Sequence, residues 1–235
     1  MSAGARGATG ADAERTVSIR VRLGRHLAHP LFGVRPRRTR LAVAALVAFL
    51  AAHLASALAA REIAGVRAQT LSPAFDSLSA AVIAASLVVV LAGPLAYATW
   101  NGGPALAFAV PLVPIAFGEL LARRYVFDLD AAVAVSAGAA GAALALYAAE
   151  ARRTDSLRPW QRRPPDTRRT LFVVAVVAGS AAVVARFVLD APDGTAAAYA
   201  PFAAFWLVPA AVAVVYGVGG FRRADASREP TPAAE

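Results

Sequence analysis

The sequence predicts an all-α polytopic membrane protein: one bundle of six transmembrane helices with both termini in the cytoplasm. Three observations carry that prediction. The chain is 58% hydrophobic and its mean hydropathy is +0.56, whereas soluble domains are nearer half apolar and scatter their charge. Charge here is confined to islands: the first forty residues, a central loop, the tail and short links. The central loop, residues 150–169, carries seven arginines in twenty residues and separates four apolar blocks from two.

Residues 1–40 form a cytoplasmic segment. Its start, 1–13, is small and polar and reads as disordered. Val17, Ile19, Val21 and Leu23 then alternate with polar residues. With no partner strand, such a basic stretch is expected to lie amphipathically on the inner leaflet. The membrane domain covers 41–220. Its first span is 41–60, and twenty helical residues at 1.5 Å each reach about 30 Å, the thickness of the hydrocarbon. The second span, 78–100, ends at Asn101-Gly102-Gly103, a tight turn into the third, 104–122. The fourth, 131–149, is dense in small residues. The fifth is 170–189 and the sixth 199–219, joined by a link without arginine. Residues 221–235 are a polar cytoplasmic tail.

Arginine sets the orientation, since the chain has no lysine. With the central loop inside, the cytoplasmic side receives nineteen arginines and the outer side four, namely Arg61, Arg67, Arg123 and Arg124. That is the asymmetry expected of cytoplasmic loops. Exclusive use of arginine with abundant alanine points to the plasma membrane of a GC-rich prokaryote. The net charge of +9 flanks apolar spans, so it predicts contact with anionic headgroups and not with nucleic acid. The expected lipid contacts are Arg152, Arg153, Arg162, Arg163, Arg168 and Arg169.

Three ionisable residues fall within spans: His53, Glu119 and Arg186. Intramembrane charge costs about 2.5–3.5 kcal/mol or more, so it is paired or functional. All three lie in the outer half, at about 18, 23 and 24 Å from the inner helix ends at 1.5 Å per residue. Arg186 shares a face with Ala182, Gly179 and Ala175, a small-residue stripe of the kind that faces other helices. One arrangement therefore turns Arg186 inward to Glu119, making an intramembrane polar site with His53. The other leaves Arg186 at the outer headgroups, paired with Asp190 one turn on, with Glu119 beside Arg123 and His53 a hydrogen-bonded core residue.

Proline marks expected helix breaks. Pro111 and Pro114 would strand the carbonyls of Ala107 and Val110 in the third span. Pro201 and Pro209 do the same in the sixth. Broken helices in matching positions point to a transporter's binding site. Ser136, Gly138 and Gly141 predict tight packing of the fourth span within the bundle. The first span repeats Ala44, Ala48, Ala52, Ser56 and Ala60, a ridge on which a second membrane protein could dock. Tyr199, Phe202 and Trp206 share a face near the outer side, as an aromatic belt or a pocket lining.

Cysteine is absent. His26 and His29 are too few for a metal site, and no cofactor motif is expected. Neither Gly-x-Ser-x-Gly nor His-Glu-x-x-His nor a phosphate-binding glycine loop occurs. The expected functions, in order, are small-solute or ion transport, alone or as a transporter's membrane subunit; a non-catalytic scaffold docking a partner; and an intramembrane or lipid-modifying enzyme. A non-enzyme is expected, because catalysis needs at least two positioned polar groups.

Overall fold

The computed structural model describes the backbone of residues 27–65, 72–123 and 126–226, and their side chains except at 60–65, 72–76, 78–79 and 221–226. The amphipathic stretch expected at 17–23, the polar start of the chain and most of the tail lie outside the described residues. So do His26 and Arg124.

Among the described residues every regular element is helical. They are α1 (Pro36–Gly65), α2 (Ser72–Leu91), α3 (Gly93–Asn101), α4 (Pro104–Ala122), α5 (Leu129–Thr154), the short α6 (Pro159–Arg162), α7 (Thr167–Asp190), α8 (Asp193–Tyr199), a 3₁₀ segment (Ala200–Trp206) and α9 (Leu207–Ala226). Five helices are long and apolar enough to cross a membrane, and α2 with α3 makes a sixth if that bent pair is one span.

The helix ends follow from local chemistry. Asp128 caps α5, its Oδ1 accepting from Ala131 N at 3.2 Å. Asp166 caps α7 by accepting from Arg169 N at 2.9 Å. Both supply acceptors to donors that a helix start leaves unpaired. Gly102, at φ 64°, closes α3 in the left-handed region, and Pro104 follows at the first turn of α4.

The core is α5, which packs against α3, α4, α7 and α9. Its small residues make this possible. Ala132, Ala137, Ala140 and Ala145 are fully buried. A Cβ on Gly138 would lie 2.8 Å from the Phe108 carbonyl, and one on Gly141 only 2.6 Å from Pro94 Cβ. In hydrocarbon no hydrophobic effect draws helices together, so close backbone approach must do it. By contrast α1 is held loosely, and Ala44, Ala48 and Ala52 are exposed.

The proline positions behave differently from expectation. Pro111 and Pro114 sit inside one continuous helix, both buried. Pro209 lies in the first turn of α9, where a missing N–H costs nothing. Pro201 lies in the 3₁₀ segment. The sharpest break is elsewhere: α2 and α3 meet at 49°, at Gly93-Pro94.

One end of the bundle gathers the arginine-rich segments. Residues 31–35 lie across the Asn101-Gly102-Gly103 turn, with Val34 N donating to Asn101 O and Ala105 N to Leu31 O, each at 2.9 Å. Beneath them Asn101, Thr39 and Tyr97 form a buried network. Asn101 Nδ2 donates to Thr39 Oγ1 at 2.9 Å and to Tyr97 Oη at 2.8 Å. Asn101 Oδ1 accepts from Arg35 N at 3.0 Å, and Tyr97 Oη donates to the Phe32 carbonyl. At the same end Trp160 anchors the central loop. Its ring packs 6.4 Å from those of Tyr147 and Tyr216 and against Gly219. Trp160→Ala should lower unfolding stability by about 2 kcal/mol, for a half-buried aromatic, and speed tryptic cleavage after Arg162. Unchanged cleavage would show that the loop is held by something else.

Candidate functional site

At the opposite end, a cavity of about 370 Å³ opens between α2, α4, α5 and the 3₁₀ segment. Ser86, Val90, Leu91, Ile115, Asp130 and Phe202 contribute to its wall. Its position follows from the two discontinuities. Val90 and Leu91 are the last residues before the α2–α3 bend, and Phe202 is in the stretch where the last span tightens to 3₁₀. A bent helix pair and a 3₁₀ stretch within a continuous span thus meet at one cavity.

The 3₁₀ segment is fixed to α5 by a closed hydrogen-bond chain. Ser136 Oγ donates to Ala132 O at 2.8 Å. Having given its one proton, it accepts from Tyr199 Oη at 2.7 Å. Tyr199 Oη in turn accepts from Trp206 Nε1 at 2.8 Å. Tyr199 is buried and so is no part of a headgroup belt. Phe202 lines the cavity, while Tyr199 and Trp206 share one hydrogen bond.

His53 stands behind Ser86. Ser86 Oγ donates to Val82 O at 2.7 Å and lies 3.1 Å from His53 Nε2. With the hydroxyl proton directed to Val82 O, the Ser86 oxygen is left to accept from the imidazole. Nδ1 is buried without a hydrogen-bond partner. Phe49 packs edge-on to the imidazole at 4.6 Å.

Glu119 lies one turn beyond Ile115 on the same face of α4. Its Oε2 is buried with no hydrogen-bond partner. Arg186 is placed elsewhere. Its Nε is 2.6 Å from Asp190 Oδ2 and its side chain is 78% exposed, in a separate groove of about 730 Å³ with Phe127 and Thr195. The structure therefore brings Ser86 and Asp130 to one cavity, with His53 behind Ser86 and Glu119 a turn from Ile115, and leaves Arg186 out. The inward arrangement of Arg186 toward Glu119 is corrected on this ground. The small-residue stripe did not mark an interface, since a Cβ on Gly179 would meet nothing. Asp130 was missed because it reads as the end of a polar link. Its signal was available: an acid in the first turn of the most buried helix.

The arginines expected at lipid divide into two groups. Arg162, Arg163 and Arg168 are exposed. Arg152 and Arg153 are exposed too but bonded within the fold, and Arg169 is half-buried. Arg152 Nη2 donates to Thr99 O, and Arg153 Nη2 is 2.7 Å from the buried Glu150 and from Pro164 O. Arg169 starts α7 through its capped N–H. Among the described residues no cluster of three or more His, Asp or Glu could hold a metal.

No protein-family model, curated protein or solved structure matches this chain, so its function is argued from these residues alone.

Proposed function

We propose that this chain transports a small cationic solute across the plasma membrane of a prokaryote, or forms the membrane subunit that binds it. The observation carrying this reading is the meeting of two helix discontinuities at a cavity that holds a carboxylate. Broken spans free backbone carbonyls at membrane depth, and such carbonyls are found where they line a binding site. Asp130 supplies charge for a cation at the mouth. Ser86, oriented by His53, supplies a hydroxyl oxygen about halfway along its span. Glu119, one turn outward from Ile115, adds a second carboxylate on the approach.

The orientation proposed has both termini and the central loop in the cytoplasm. It rests on the arginine asymmetry, and the gathering of residues 31–38 and Arg152 at one end of the bundle supports it. The cavity then opens outward.

The test is uptake of labelled alkali cations and small amines into proteoliposomes. Asp130→Asn should reduce uptake about tenfold, the scale of one lost charge-assisted hydrogen bond, at unchanged protein abundance. Arg186→Gln, in the separate groove, should leave uptake intact. Equal loss in both variants, or no uptake of any probe, would remove this reading.

A second reading has an observation of its own. The Ala44–Ala48–Ala52 ridge of α1 is exposed, as a docking face for another membrane protein would be. If the chain is a scaffold, a partner should co-purify in mild detergent and be lost on Ala48→Leu.

A further inference from the structure

The arginine-rich end contains a charged concavity that transport does not use. Arg35, Arg37, Arg38 and Arg40, with Val34 and Pro36, line about 610 Å³ at the start of α1. The first backbone N–H of that helix to find a carbonyl is that of Thr39, which bonds Arg35 O at 3.1 Å. The N–H groups of Arg37 and Arg38 precede it and have no intrahelical acceptor.

A fifth guanidinium comes from a distant part of the chain. Arg38 Nη1 donates to Trp100 O and Arg152 Nη2 to Thr99 O. These are consecutive carbonyls at the C-terminus of α3, so the two guanidinium groups stand side by side. Arg35 and Arg38 are both close enough to act on Arg152 as like charges. Capping carbonyls explains how the groups are held, and among the described residues no carboxylate pairs with them. Residues 27–40 and 93–104 contain no Asp or Glu. Glu150, on the same turn of α5 as Arg152, is committed to Arg153 and to Asp166 N. Each arginine has five donors, and those here are only partly used.

The surroundings select the anion. Val34, Leu41 and Trp100 are 43%, 61% and 41% exposed, and the Arg38 guanidinium sits 5.2 Å over the Trp100 ring. Guanidinium groups thus border apolar surface at the level where α1 enters the hydrocarbon. The concavity is also built in advance, because Asn101 pins the Arg35 backbone. We propose that it is a specific site for an anionic phospholipid. The phosphate lies on Arg35, Arg37, Arg38 and the open N–H groups of α1, and the acyl chains run along Trp100 and Leu41. The site stands whether or not the chain is a transporter.

The experiment is native mass spectrometry and thermal unfolding of the full chain in neutral detergent, titrated with phosphatidylglycerol, phosphatidylcholine or inorganic phosphate. Arg35→Gln with Arg37→Gln removes two charges and spares both carbonyl caps. Phosphatidylglycerol should bind and raise Tm in the parent, and bind about thirtyfold more weakly in the double variant, given roughly 1 kcal/mol per arginine near anionic lipid. Arg162→Gln with Arg163→Gln should bind like the parent. Two results would overturn the site: weaker binding in the central-loop variant alone, or inorganic phosphate raising Tm as far as the lipid does. Phosphatidylcholine binding as tightly as phosphatidylglycerol would also overturn it, since headgroup charge would then be irrelevant.

Discussion

Asn101→Leu is expected to cost about 4 kcal/mol and to detach residues 29–35 from the bundle. The two side chains are similar in size, so the loss is one of polarity. Three bonds disappear together: from Arg35 N, to Thr39 Oγ1 and to Tyr97 Oη. Thr39 is fully buried and Tyr97 nearly so. A buried polar group left unpaired costs about 1–3 kcal/mol, and members of one network fall together. No rearrangement restores the donors, because Gly33 has no room to move inward; a Cβ there would already lie 2.6 Å from Thr39 Oγ1. Thr39→Val removes the acceptor of Asn101 Nδ2 and two long contacts, to Arg35 O at 3.4 Å and from Tyr97 Oη at 3.5 Å, and should cost about 1 kcal/mol. Unfolding in mixed micelles gives both values, and trypsin gives the local effect. Cleavage after Arg37 should accelerate in Asn101→Leu and hardly change in Thr39→Val. If the two variants are equally stable, the network does not hold this end of the bundle.

That network was invisible in the sequence for a physical reason. Asn101 reads as a turn residue before Gly-Gly, and it is one. Its partners Arg35 and Thr39 are 66 and 62 residues away, and nothing local announces them. The membrane-crossing helices were legible because length and hydropathy alone decide whether a helix can span. The central place of α5 was legible because only small residues permit such close approach, and its glycines meet Phe108 and Pro94. Proline was the weak guide. A lone proline removes one bond, and in α4 the residues around it are packed well enough that the helix continues. At Gly93-Pro94 the lost donor coincides with a residue of low helix propensity, and the chain bends. Arg186 shows the same limit. Its pairing with Asp190 follows from spacing, but which way it points depended on a stripe of small residues that alanine abundance produces by chance.

Gly141→Val should cost about 3 kcal/mol, at the upper end for overpacking a core, and should lower uptake as well. Gly141 faces Pro94, the first-turn residue of α3. An added Cβ would lie 2.6 Å from Pro94 Cβ and 3.1 Å from its carbonyl carbon and oxygen. Neither can yield as a flexible side chain would, since the ring is locked to the backbone. Helix α5 is enclosed by its neighbours, so α3 is the element that must move, pivoting at the bend. Val90 and Leu91, on the other side of that bend, line the cavity. The substitution therefore reaches the cavity without touching it. Gly179→Val is the control. It makes the same change in a helix where nothing lies within 4 Å, so its effect is limited to helix propensity, a gain of a few tenths of a kcal/mol. Unfolding and proteoliposome uptake measured on both variants separate the links of this argument. Lost stability with full uptake in Gly141→Val would mean that the cavity is not the transport site. Equal stability of the two variants would mean that α5 and α3 do not approach as closely as their backbones indicate.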